Sequence, residues 1–154
     1  MRQAIKLSTD QMRLISLFQN ITKATARDCL DDEKKNKIIF VVSEGKMGLA
    51  IGKGGSNIKS LQNILKRDIE LIEYFDDPIK FLKNLLNPKF VNEIKLDVRS
   101  DGSSQATITV DHGKKGLVVG REGRNAERAR LFAKKYFGIS NILINSPTIT
   151  QLEM

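Results

Sequence analysis

Leu49-Ala50-Ile51-Gly52-Lys53-Gly54-Gly55-Ser56-Asn57-Ile58 sets a basic, glycine-dense turn directly against the start of an amphipathic segment. Sixty-eight residues further on the chain reads Leu117-Val118-Val119-Gly120-Arg121-Glu122-Gly123-Arg124-Asn125-Ala126, with the leucine, the outer glycines and the asparagine in the same places. One Gly-x-x-Gly is a weak signal, since glycine marks many ordinary helix boundaries. Two in register are a repeat.

The same offset holds outside the turns. Val42, Gly45, Lys46 and Gly48 match Val110, Gly113, Lys114 and Gly116 as identities, and Ile58, Leu61, Ile64 and Leu65 fall on Ala126, Ala129, Phe132 and Ala133. The spacing of those four positions predicts one buried helical face in both copies. Two modules of about 70 residues follow, spanning residues 1–75 and 76–146, with 147–154 left as a short tail.

Each module reads as helix, strand, strand, short helix, glycine turn, helix, strand. In the first, Ser8-Thr9-Asp10-Gln11 has the spacing of a capping box, and Met12, Leu14, Ile15 and Phe18 form the apolar face of the helix it opens. Asp31-Asp32-Glu33-Lys34-Lys35-Asn36 is a polar connection leading into the β-rich run Lys37 to Val42, which predicts a hairpin. A helix over Ser56 to Lys66 and a strand from Asp68 to Phe75 close the unit. The second opens at Asp77-Pro78, an N-cap followed by proline at the first helical position. Its hairpin pairs Phe90–Arg99 with Gln105–Asp111, and a helix over Asn125–Phe137 and a strand over Ile139–Ile144 complete it.

Composition limits what such modules can do. With 26 basic against 18 acidic residues the chain carries a net charge of +8, which favours polyanionic partners. The single cysteine, Cys29, excludes an internal disulfide, and with one histidine, His112, nothing suggests a metal centre or another cofactor. The N-terminus has no apolar signal segment, and the longest aliphatic and aromatic run, Ile38 to Val42, is far below the roughly 20 residues of a spanning helix. The expectation is a cytoplasmic protein with neither a membrane nor a small-molecule substrate as partner. It is also not an enzyme, because no nucleophile, base or metal constellation is visible.

A Gly-x-x-Gly between two helices exposes backbone N–H groups at a helix start and lets a phosphodiester approach closely. Lys53 and Arg121, between the glycines, add attraction without reading sequence. A mononucleotide P-loop fails on spacing, because three residues separate Gly48 from Gly52 where the pattern has four, and Gly54 stands where a Ser or Thr would hold magnesium. Aromatic residues make up only 6%, so a groove floored by aliphatic residues such as Ile51 and Val119 is expected rather than a stacking platform.

Ile51-Gly52-Lys53-Gly54-Gly55-Ser56-Asn57-Ile58 resembles the KH-domain signature, whose Gly-x-x-Gly loop clamps about four nucleotides of a single strand. Two strands before the paired helices and one after is similar to the type II arrangement. Over nearly the whole chain, the tandem looks most like the archaeal NusA-family transcription factors, on Met47 to Lys53 and Gly120 to Ala129. The resemblance implies an α+β fold of two tandem type II KH domains, each a small three-stranded mixed sheet packed against helices. It also implies a factor of elongation, termination or antitermination that binds nascent single-stranded RNA, with RNA polymerase as a further partner.

The RNA-binding residues it implies are Ile51, Gly52, Lys53, Gly54, Gly55 and Asn57 in the first copy, and Val119, Gly120, Arg121, Glu122, Gly123, Arg124, Asn125 and Arg128 in the second. Glu122 has two readings. Either it stands among phosphates with its charge offset by Arg121, Arg124 and Arg128, or it caps the following helix. Alternatives at the level of function are a KH-type factor in ribosome assembly or RNA processing, and a protein-interaction scaffold.

Overall fold

The computed structural model describes residues 5–147. The tail expected over 147–154 therefore lies outside the described residues from Thr148 onward. Two compact units are present, Ile5–Phe75 and the part from Asp76 on.

The first unit begins with α1 (Thr9–Thr22), opened by the capping box its sequence spells out. The Ser8 hydroxyl accepts from the Gln11 amide at 3.2 Å, and the Gln11 side chain accepts from the Ser8 amide at 2.9 Å. The same Gln11 side chain donates to the Cys29 carbonyl at 2.8 Å, so the cap also ties the helix to the strand beneath it. That strand, β1 (Ala26–Asp32), pairs antiparallel with β2 (Lys37–Val42) across a tight connection in which Asn36 takes the left-handed conformation that suits asparagine. The acidic run at the connection is structural. Arg67 donates to the Asp31 carboxylate and to the carbonyls of Asp32 and Lys37, which staples the hairpin to the start of β3 (Asp68–Glu73). β2 and β3 run parallel, giving the order β1-β2-β3. Ile38, Phe40 and Val42 point from the central strand into a core with Ile15, Phe18, Ala50 and Leu61, where the rings of Phe18 and Phe40 stack at 4.5 Å.

The second unit repeats this order with α4 (Pro78–Leu85), β4 (Val91–Val98), β5 (Ser104–Val110) and β6 (Ile139–Asn145). Asp77 caps α4 by accepting from the Ile79 amide at 3.0 Å, with proline next in the chain. β4 and β5 are antiparallel and β5 and β6 parallel, in the order β4-β5-β6. The Asp101 carboxylate shapes the β4–β5 turn by accepting from both the amide and the hydroxyl of Ser103. Between the sheets' second and third strands lie the short helices α2 (Met47–Ile51) and α5 (Lys115–Val119) and the longer helices α3 (Ser56–Leu65) and α6 (Arg124–Phe137).

The two helical faces are not equally covered. On α6, Ala126, Ala129, Phe132 and Ala133 are all buried, whereas on α3 only Leu61 is, and Ile64 is 55% exposed. At about 100° per residue Ile64 sits some 60° to one side of Leu61, on the edge of the stripe. In the second unit that edge is occupied by Phe132, which meets Phe81 of α4 edge-on at 6.1 Å and stacks on Tyr136 at 5.3 Å. The first unit has no such aromatic cluster around Ile64. Met12, on the margin of the α1 stripe, is likewise exposed. The expected apolar face is thus complete in the second copy and partial in the first.

Candidate nucleic-acid interface

Each loop begins where a short helix is stopped by a glycine. Gly52 ends α2 with φ 78° and ψ 168°, and Gly120 ends α5 with φ 85° and ψ 170°. This corner of backbone space is essentially closed to residues with a Cβ. Packing closes it again: a Cβ on Gly52 would lie 2.9 Å from the Asn57 side chain and from the Ser56 hydroxyl, and one on Gly120 would lie 2.9 Å from Asn125. The third position of each loop is left-handed, with Gly54 at φ 63°, ψ 21° and Glu122 at φ 57°, ψ 25°. The closing glycines, Gly55 at φ 76° and Gly123 at φ 73°, are the N-caps of α3 and α6. Open space surrounds a Cβ at either closing glycine, so only the positive φ asks for glycine there.

The two loops therefore have one backbone. Because the caps are glycines, no side chain bonds the first amides of α3 or α6. The Gly55 and Gly123 amides donate to the Gly52 and Gly120 carbonyls, and the Ser56 and Arg124 amides to those of Lys53 and Arg121. It is the positive ends of the two helices, without a side-chain cap, that face an anion. Lys53 and Arg121 are exposed beside them. Ala50 and Val118 anchor the short helices in the core, and Leu49 with Ile51 and Leu117 with Val119 flank those anchors. Leu49, Ile51 and Leu117 are exposed, and Val119 is half-buried. Leu49 and Leu117 are absent from the expected site residues, although their exact repetition in sequence is the signal that marks them.

Other expected residues take more specific places. Asn57 donates from Nδ2 to the Leu49 carbonyl at 3.0 Å, bridging the end of α2 to the first turn of α3. Its amide closes the loop from beneath, and Asn125 holds the same position against Gly120. Glu122 does not cap α6: the cap is Gly123, which receives no side-chain hydrogen bond, and Glu122 stands exposed on the loop crest. Arg124 and Arg128 lie half-buried one turn apart on α6, with the Arg124 Nε buried and without a hydrogen-bond partner. Among the described residues no group of three or more His, Cys, Asp and Glu side chains could hold a metal ion, and no helix is long and apolar enough to cross a membrane.

Helix, antiparallel hairpin, short helix, Gly-x-x-Gly, helix and a final strand parallel to the middle one make up the type II KH fold, and the chain carries it twice. The KH domain family model matches residues 13–101, from α1 into the β4–β5 hairpin. The chain belongs to the archaeal NusA family of KH-domain proteins. It is 36% identical over 138 residues to the probable transcription termination protein NusA of Halobacterium salinarum, covering 90% of this chain and 96% of that one. The corresponding protein of Methanococcus vannielii is 36% identical over 141 residues, 91% of this chain and 79% of the relative. The transcription termination/antitermination protein NusA of the bacterium Halalkalibacterium halodurans matches at 27% over 108 residues, which is 28% of its length. Among solved structures, the crystal structure of APE1850 is similar with a TM-score of 0.79 and 40% identity, over 90% of this chain and all of that one.

Proposed function

We propose that this protein is a non-enzymatic, cytoplasmic transcription factor that binds single-stranded RNA and acts in elongation, termination or antitermination. The two Gly-x-x-Gly loops clamp the RNA backbone. The observation that carries the reading is the pair of loops with the same φ and ψ, each presenting a helix start without a side-chain cap beside an exposed cation. Family membership supports it, since the relatives are named for transcription termination and the KH domain is an RNA-binding module. Phosphates sit at the loop crests formed by Gly54 and Gly55 and by Glu122 and Gly123, beside Lys53 and Arg121. Ile51 and Val119 line the base side, and Arg124 and Arg128 contact the strand as it leaves the second loop. Asn57 and Asn125 act by holding the loops in shape. RNA polymerase is the proposed protein partner.

Titration of a fluorescent single-stranded RNA tests the clamp. If about four phosphates are neutralised, log K falls with log salt at a slope of roughly −3. Lys53→Glu combined with Arg121→Glu changes two exposed side chains outside the core, so the fold is retained while affinity drops by an order of magnitude or more. A double variant that binds as tightly as the wild type overturns the reading. Recovery of polymerase subunits with the tagged chain from its own cell extract tests the partner, and recovery of pre-ribosomal particles alone would favour ribosome assembly instead.

A further inference from the structure

Phe90, half-buried between α4 and β4, carries two cations on one ring. The Lys89 ammonium lies 5.6 Å from the ring centroid and the Lys114 ammonium 5.5 Å. The backbone fixes this meeting. The Asp111 amide donates to the Phe90 carbonyl at 2.9 Å, and the Asp111 carbonyl accepts from the Lys114 amide at 3.0 Å, so one residue holds both partners. The Ser146 hydroxyl adds a further bond to that carbonyl at 3.2 Å. Among the described residues neither lysine has an ion-pair partner, and both are exposed, as are Lys115 and His112 next to Lys114.

An aromatic ring attracts a cation by about 0.5–1 kcal/mol at an exposed site, which is enough to hold one ammonium. A second ammonium on the same ring places two positive charges around one side chain. Two exposed like charges gathered around one ring attract a polyanion that passes them. The first unit has no equivalent: its Ser43 amide donates to the Thr25 carbonyl as the Asp111 amide does to that of Phe90, so Ala24 and Thr25 stand where the second unit has Lys89 and Phe90. Met47 stands for Lys115, and only Lys114 keeps a lysine, Lys46.

The patch also lies on the path to the second loop. Lys114 is the N-cap of α5, and the five residues of that helix end at Gly120. At 1.5 Å per residue this is about 8 Å, short enough for one strand to touch both places. We infer that Lys89 and Lys114, set around Phe90, form a second phosphate-binding locus that takes the RNA backbone beyond the nucleotides held by the Gly120–Gly123 loop. The inference rests on the RNA-binding reading above, and names where the strand continues.

The test compares oligouridylates of about four and about ten nucleotides, the shorter one filling only a KH loop. Lys89→Gln with Lys114→Gln is set against Lys34→Gln with Lys35→Gln, which removes the same charge from the β1–β2 connection. Loss of two phosphate contacts on a single strand lowers the magnitude of the salt slope by about 1.4. That loss is expected for the longer RNA only, and only in the Lys89/Lys114 variant. An unchanged slope, equal losses on both RNAs, or an equal loss in the Lys34/Lys35 control each overturns the locus. Because the Lys53/Arg121 variant is measured on the same RNAs, failure of the loop clamp and failure of this extension give different patterns.

Discussion

Replacing Glu122 by glycine separates two costs that this residue imposes on the second loop. The first is conformational. At φ 57° and ψ 25° Glu122 sits where the other loop has Gly54 at φ 63° and ψ 21°. A left-handed residue with a Cβ costs roughly 1–2 kcal/mol, of which the greater unfolded-state freedom of glycine takes back about 0.5–1 kcal/mol. A net gain of about 0.5–1 kcal/mol in the second unit corresponds to a rise in melting temperature of about 2–6 °C for a unit of this size.

The second cost is electrostatic. A carboxylate about 6 Å from a phosphate in water is repelled by about 0.7 kcal/mol, so removing it tightens RNA binding roughly threefold. Glu122→Gln keeps the strain and removes the charge. Thermal unfolding and RNA titration of both variants should then show a raised melting temperature for glycine alone, and tighter binding for both. A lower melting temperature for the glycine variant would refute the strain argument. Weaker binding for the glutamine variant would show that the carboxylate accepts a hydrogen bond from the nucleotide, and would refute the repulsion.

Two other perturbations follow from the geometry. Gly52→Ala forces a Cβ to 2.9 Å from Asn57 in a backbone region reserved for glycine, so urea unfolding of the first unit should show a loss of about 2–4 kcal/mol, against about 1 kcal/mol for Gly54→Ala, where the Cβ meets open space. Asp101 is held below the usual carboxylate range chiefly by the Ser103 hydroxyl and then by the Ser103 amide. A lowered folded pKa means that the turn's contribution is present above the unfolded value and is lost as pH falls through the folded one. Ser103→Ala should move the Asp101 titration, followed by NMR, back up toward the usual range, and an unmoved titration would sink this account.

The glycine loops are legible in the sequence because their constraint is local. Gly52 and Gly120 sit at backbone angles that no other residue adopts comfortably, and Asn57 and Asn125 recur because each fills the space a glycine leaves. The capping box at Ser8 and the proline-marked cap at Asp77 are legible for the same reason. What depends on distant packing is not. Ile64 has the periodicity of a core residue, yet the edge it occupies is buried only where Phe81 and Phe132 meet, in the other copy. Glu122 has two readings by its place before α6, and the structure answers only one of them: its side chain makes no cap bond to the helix, whose N-cap is Gly123. The meeting of Lys89 and Lys114 on Phe90 joins positions 25 residues apart through the Asp111 backbone, which no spacing rule reveals.

Since the two loops share one backbone, any difference in how they hold an anion must come from side chains. The first loop has a lone cation, Lys53, on an otherwise neutral crest, and α3 begins with Ser56 and carries Ser60 one turn on. In the second, Glu122 offsets Arg121 on the crest, while along α6 Arg124 and Arg128 replace those two serines and Glu127 replaces Lys59. Cations on the second unit are thus more numerous and more spread out, two of them on the α6 face that carries serines in the first copy, and Lys89 and Lys114 add to them around Phe90. A strand on the first unit meets Lys46, Lys53 and Lys59, and a strand on the second meets cations spread over a greater length. The second unit should therefore dominate the salt dependence of binding to long RNA, whereas the first should contribute most where only a few nucleotides are available.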